Sequence, residues 1–225
     1  MRTLSTSVIV VGAGPVGMCL AIEAARRGVD VVVIEPRSAG EPPSAKCNTV
    51  AARTLETFRR FGVADQVRAA GLPDAYPTDV MYASSVAGPE FTRIELPSRD
   101  ERTNGGYIDS QWLTPEPMVR VSQIYLEPLL FATMAALSNV TIINGARVDS
   151  YEQFSDQVIA LCTTLGSGES FEVVGRYLVG CDGGRSNTAR GGPIHRRAPT
   201  RRGGCRQPAH GRRTPGRRAP LATTR

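Results

Sequence analysis

Histidine is nearly missing from this sequence: there are two, His195 and His210, and both lie beyond residue 190. Residues 1–190 therefore offer no histidine as a general base or metal ligand. Lysine is rarer still. Lys46 is the single example, so almost every positive charge is an arginine. The five cysteines, Cys19, Cys47, Cys162, Cys181 and Cys205, form no CxxC pair. That spacing argues against structural zinc and for reduced thiols. No apolar run reaches the length needed to cross a bilayer. The short run VIVVGAG has only Arg2 before it and passes straight into a glycine motif, which is not the pattern of a signal peptide. The expectation is a cytoplasmic, soluble protein with no metal site and no membrane partner.

Acidic residues are absent from residue 191 onward, where ten of the 27 basic residues lie. Residues 1–190 keep 17 basic against 21 acidic residues, a net charge of −4, so the overall +6 belongs to the tail alone. Residues 191–225 have no apolar periodicity, and their five prolines and six glycines break any helix or strand, so they read as disordered. Arginine density suits phosphate contacts. With no aromatic interleaved for base stacking and no binding fold ahead of it, a nucleic-acid partner is not expected.

What is present is concentrated in SVIVVGAGPVGMCLAIEAARRGVDVVVIE. Ser7–Val11 reads as a strand buried on both faces. Gly12, Gly14 and Gly17 then form GxGxxG: the first permits a tight turn, the second lets a pyrophosphate approach the backbone, and the third lets helix and strand pack closely. The helix is expected to carry Val16, Leu20 and Ala24 on one face and to end at Gly28 in the left-handed conformation. A second strand, Val29–Ile34, runs into Glu35, whose carboxylate can accept both hydroxyls of an adenosine ribose. An acid there favours FAD or NAD over NADP. The plain alternative is an ordinary glycine-rich βαβ turn.

From Lys46 the chain reads as a loop and two amphipathic helices with Leu55, Phe58 and Phe61 inward. From Arg120 it reads as a longer helix that Pro128 should bend. An antiparallel series follows: Val140–Ile143, Ala146–Phe154, Gln157–Leu165 and Phe171–Val174. A last strand, Tyr177–Gly180, leads to Asp182-Gly183.

In this order, the GxGxxG unit, KCNTVAARTLETFRRFG, PEPMVRVSQIYLEPLL and Asp182-Gly183 resemble the FAD-dependent aromatic hydroxylases. These are the single-component flavoprotein monooxygenases related to p-hydroxybenzoate hydroxylase, and the look is most that of the phenol and chlorophenol hydroxylase branch. The resemblance covers residues 1–190. It implies an α/β fold: a Rossmann-like FAD-binding βαβ domain with an antiparallel β insertion, and residues 74–118 as part of a substrate-facing subdomain. Aromatics of that segment, Tyr76, Tyr82, Tyr107 and Trp112, are expected as core more often than as substrate contacts.

The resemblance also implies a set of FAD contacts. Gly12, Gly14, Pro15, Val16, Gly17 and Glu35 would hold the ADP half. Lys46, where many relatives carry Arg, would touch the flavin side. Gln123 would lie against the cofactor with Arg120 nearby. Asp182 and Gly183, followed by Arg185 and Ser186, would serve FAD and the passing nicotinamide. Arg37, Arg53 and Arg120 read equally as cofactor contacts or as surface ion-pair partners. The implied reaction takes reducing power from NADH or NADPH and one oxygen atom from O2 to a small aromatic substrate. The cofactor carries that chemistry, so no nucleophile–base pair is needed and no catalytic residue is assigned.

The family continues beyond its middle motif, whereas residues 191–225 supply none of its later pieces. An out-of-frame reading of a GC-rich message yields such an Arg, Gly and Pro mixture. On that account the chain is a truncated hydroxylase, weakly active or inactive. An NAD-dependent dehydrogenase, an FAD-binding fragment completed by another chain and a basic-tailed nucleic-acid binder stand as alternatives. Homo-oligomerisation is left open.

Overall fold

The β-branched run ahead of Gly12 becomes the centre of the sheet. The structure is a computed structural model, described here for residues 1–43, 46–105, 114–184, 186 and 188. The basic tail, Arg185, Tyr107 and Trp112 lie outside the described residues. Strand β1 (Arg2–Val11) lies between β2 (Val31–Glu35) and β8 (Ser170–Gly180), parallel to both. Strand β5 (Val140–Asn144) adds to β2 in parallel, with Val31 opposite Val140. On the far side β7 (Val158–Thr164) and β6 (Ala146–Gln153) continue antiparallel, giving the order β5-β2-β1-β8-β7-β6.

Helices α1 (Pro15–Ala25), α2 (Ala52–Phe61), α3 (Ala64–Ala69) and α5 (Gln123–Ala135) cover one face of this sheet. There Val10, Val31 and Val33 pack with Met18, Ile22, Leu55, Phe58 and Leu130. Each such large side chain taken out of water contributes about 1.5–3 kcal/mol. On the other face Ile9, Val11, Val32 and Ile34 pack with Ala146, Val148, Ala160, Cys162, Phe171 and Val173 of the meander. The remaining elements are a hairpin, β3 (Val80–Ala83) and β4 (Glu90–Ile94), and the short helix α4 (Arg99–Asn104). No helix among the described residues is long and apolar enough to cross a membrane.

Four expectations need correction. The buried face of α1 is Gly17, Met18, Ala21, Ile22 and Ala25, one position round from the expected face. Val16 is 72% exposed, while Leu20 and Ala24 are partly buried. Gly17, Ala21 and Ala25 let the helix lie close to the strand it follows, while Met18 and Ile22 fill the core beside them. Strand β5 belongs to the parallel part of the sheet, because α5 carries the chain back to the edge of β2. The segments Phe171–Val174 and Tyr177–Gly180 are one strand. Gly175 between them is no break: a Cβ there would meet Ile9 Cγ1 at 2.7 Å, so the missing side chain makes room for Ile9. Finally, Tyr76 and Tyr82 are not core residues, at 50% and 51% exposure.

Candidate functional site

Strands β1, β2, β5 and β8 all end on one edge of the sheet, and β1 is where the strand order reverses. Open α/β sheets bind ligands in the crevice at such a point. The turn that enters it is made by Gly12, at φ +101°, whose N–H donates to the Ile34 carbonyl at 2.8 Å. A Cβ on Gly12 would sit 2.6 Å from the carbonyl oxygen of Cys181, just after β8. A Cβ on Gly17 would come within 1.9 Å of the Gly12 carbonyl oxygen. These two glycines are therefore required by the protein's own packing.

Gly14 differs. A Cβ there would meet nothing within 4 Å, so its outer side faces open space. It is the N-cap of α1, with φ −70° and ψ 176°, no side chain caps the helix, and its first turn holds no acidic residue. Pro15 takes the first helical position, where a missing N–H costs nothing. The positive end of α1 is thus presented to the crevice, the arrangement that favours a phosphate.

Glu35 closes the second strand and is buried. Its Oε2 accepts from the Ala13 N–H at 2.6 Å, and its Oε1 accepts from Arg37 Nε at 2.8 Å and Arg37 N–H at 3.1 Å. Burial pushes its carboxyl up, but the bonds from Arg37 and from the Ala13 and Arg37 backbone outweigh that and leave it below the usual range. Arg37 continues the network: Nη1 donates to Glu127 Oε2 at 2.8 Å and Nη2 to the Ala13 carbonyl at 3.3 Å. Gln123 Nε2 donates to the other oxygen of Glu127. A cavity of about 350 Å³ lies beside this network, walled by Glu35, Arg37, Pro42, Phe131 and Asn144. A second, of about 510 Å³, lies between the starts of α1 and α2 and is lined by Val16, Cys19, Cys47, Arg53 and Gln123. Burial pushes the Cys19 thiol up to about 11, with Glu23 adding to the rise, so it stays protonated at neutral pH.

Asp182 and Gly183 stand against the Gly12 turn, as the 3.1 Å approach of the Asp182 Cα to a Gly12 Cβ shows. Gly183 takes φ +81° and its carbonyl accepts the Ser186 N–H at 3.0 Å. Asp182 Oδ2 accepts from the Thr188 N–H at 3.1 Å and hydroxyl at 3.0 Å. Burial pushes the Asp182 carboxyl up, and the bonds from Ser186 and Thr188 bring it below its ordinary value.

The structure thus brings Gly12, Gly14, Pro15, Gly17, Glu35, Arg37, Gln123, Asp182 and Gly183 to one edge, with Val16 exposed beside the loop. Lys46 and Arg53 are exposed. Arg120 is engaged with another segment: its Nη2 donates to the Thr78 carbonyl at 3.0 Å, just ahead of the hairpin. That pairing follows from the chain reaching α5 along Gly71 and Leu72, whose N–H the Arg120 carbonyl accepts at 2.8 Å. Glu127 was missed. The signal available was an acid one helical turn from Gln123, in an otherwise apolar helix.

A family described as FAD binding domain matches residues 5–203. The 2,4-dichlorophenol 6-monooxygenase of Cupriavidus pinatubonensis is 31% identical over 184 residues, covering 82% of this chain and 30% of that protein. Among solved structures, the rebeccamycin biosynthetic enzyme RebC with reduced flavin is 37% identical with a TM-score of 0.71, covering 84% of this chain and 34% of that one. The flavin-dependent monooxygenase PieE, in complex with FAD and substrate, is 28% identical with a TM-score of 0.73, covering 83% and 31%. This chain spans about a third of the length of the proteins it matches. It belongs to the FAD binding domain family, and the relatives named here are FAD-using or flavin-dependent enzymes, two of them monooxygenases by name.

Proposed function

We propose that this chain binds the ADP half of FAD in the crevice, as part of an NAD(P)H- and O2-using hydroxylase of a small aromatic substrate. One observation carries the reading. The Gly12 turn and the carboxylate of Glu35, from one βαβ unit, and the Asp182-Gly183 turn, remote from both in sequence, form a single edge beside the uncapped start of α1. The residues suit the group. The open side of Gly14 and the N-terminus of α1 would take the pyrophosphate. Glu35 would accept from the ribose hydroxyls, and Pro42 and Phe131 would wall the adenine side. Gly183 and Asp182 would lie toward the ribityl side, with Lys46 and Gln123 on the flavin side.

FAD, when bound, supplies hydride uptake from NADH or NADPH and the use of O2. This chain's own share is to bind and orient. Glu35, held ionised by Arg37, presents acceptors rather than a donor to the ribose. The matched family members support a phenolic substrate class.

Flavin binding to the purified chain, followed by fluorescence quenching, tests the reading. FAD should bind, and Gly14→Val should keep the wild-type circular dichroism spectrum yet lose about a hundredfold or more in affinity, because its side chain fills the pyrophosphate approach without touching protein. Equal FAD affinity in wild type and variant would sink the site. Tight NAD binding with no FAD binding would replace the reading by an NAD-dependent dehydrogenase. Phenol-dependent oxidation of NADH against NADPH then tests the hydroxylase step and the choice of reductant.

A further inference from the structure

Arg37 has all three guanidinium nitrogens engaged inside the protein: Nε on Glu35, Nη1 on Glu127 and Nη2 on the Ala13 carbonyl. Its side chain still lines the cavity beside Glu35 and keeps 28% exposure, whereas that of Glu127 keeps 6%. An arginine close to the acid that ends the second strand is the feature that lets a dinucleotide site accept a 2′-phosphate. Here such an arginine is present and faces two carboxylates, so the charge it could offer a phosphate is already compensated. Glu127 reaches it across 90 residues of sequence and is fixed from behind by Gln123, one turn earlier on α5.

We propose that Glu127 is a specificity-determining positioning residue: by holding Arg37 it makes the crevice reject adenosine nucleotides that carry a 2′-phosphate. Without Glu127 the guanidinium keeps only Glu35 at Nε and the Ala13 carbonyl at Nη2, 3.3 Å away, and Nη1 is free to turn into the cavity. Glu127 removes that freedom. The inference rests on the dinucleotide reading of the crevice.

The test compares ADP-ribose with 2′-phospho-ADP-ribose, two ligands that differ only in the phosphate of interest, by calorimetric titration of the purified chain. Wild type should bind ADP-ribose and exclude its 2′-phosphate form. Glu127→Gln keeps the side-chain shape and removes the charge, so discrimination should fall by about tenfold, the size of one charge-assisted hydrogen bond redirected to the ligand. A role of Glu127 in packing alone would weaken both ligands together and leave their ratio unchanged, which would overturn the proposal. The double variant Arg37→Met/Glu127→Met removes both the cation and its partner; Glu35 loses Arg37 as well, so both ligands should weaken together. The ratio between the two ligands should stay as in wild type, because no cation is left to recruit; a relaxed ratio there would equally overturn the assignment. That variant also serves if Glu127→Gln alone fails to fold. Wild type binding neither ADP-ribose nor FAD would remove the dinucleotide reading and this proposal with it. Wild type binding ADP-ribose while Glu127→Gln keeps the ratio would remove this proposal alone.

Discussion

Every residue of β2 is buried, whereas every residue of β4 is exposed. Strand β2 delivers Glu35 into a crevice where Ala13, Arg37, Glu127 and Gln123 form one connected set with it. The hairpin relies on surface charge instead. Arg93 pairs with Asp79 at 3.2 Å and with Glu90 at 2.7 Å, while Met81, Tyr82, Phe91 and Ile94 remain largely in water. An isolated two-stranded hairpin is marginal in water, and exposed ion pairs add little. The contrast separates two kinds of stability in one chain. The crevice is tied to the core and opens only with it, and the hairpin opens locally at low cost.

The largest effect belongs to Gly17. Gly17→Val drives a branched side chain into the Gly12 carbonyl and should cost about 3 kcal/mol or more, read as loss of the cooperative thermal transition. A variant that melted like wild type would erase the claim that the crevice and core are one unit.

Glu35 sharpens the contrast through pH. Its folded-state carboxyl lies below the ordinary glutamate value, so the stability it contributes is present above the unfolded pKa and lost as pH falls through the folded one. Glu35→Gln should cost about 2 kcal/mol at neutral pH, because the Ala13 N–H and Arg37 lose an anionic partner. Denaturation curves across the acid limb should also flatten, and an unchanged acid limb would count against the ion pair.

The hairpin side should answer more weakly. Ser98 caps α4 by accepting the Glu101 N–H, and the Glu101 carboxylate accepts the Ser98 N–H in return. Ser98→Ala should cost about 1 kcal/mol. Hydrogen exchange should quicken in α4 and the hairpin, with the amides of β1 and β2 unchanged. Smallest of all, Arg93→Ala should leave the global melting temperature where it was. A large drop would mean that the hairpin is part of the core after all.

Much of the crevice could be read from sequence because its parts are local. The turn at Gly12, the helix after it and the acid at the end of β2 occupy one βαβ unit, where backbone sterics dictate glycine and the strand period places the acid. Leu55, Phe58 and Phe61 were legible for the same reason, since one helix sets their spacing. The rest depended on tertiary partners. Nothing near Glu127 announces that Arg37 will meet it, and nothing near Arg120 announces that Thr78 will take its guanidinium. Gly175 looked like a break because its reason, the Ile9 side chain, lies on another strand. Val16 looked like core because periodicity cannot tell an exposed first turn from a packed one.

The pairing of β1 with β8 also has a consequence in time. Residues 2–11 leave the ribosome ahead of their partners 171–180, which follow about 170 residues later, some ten to thirty seconds at ordinary rates of synthesis. Until that last strand inserts, Cys181 and Asp182 are not there to back the Gly12 turn. The nascent chain therefore carries a complete glycine motif in a half-built pocket. Closing so long a loop is slow but adds little to its entropic cost. Cofactor capture is then a late event, and a nascent chain that holds its nucleotide has already finished its central sheet.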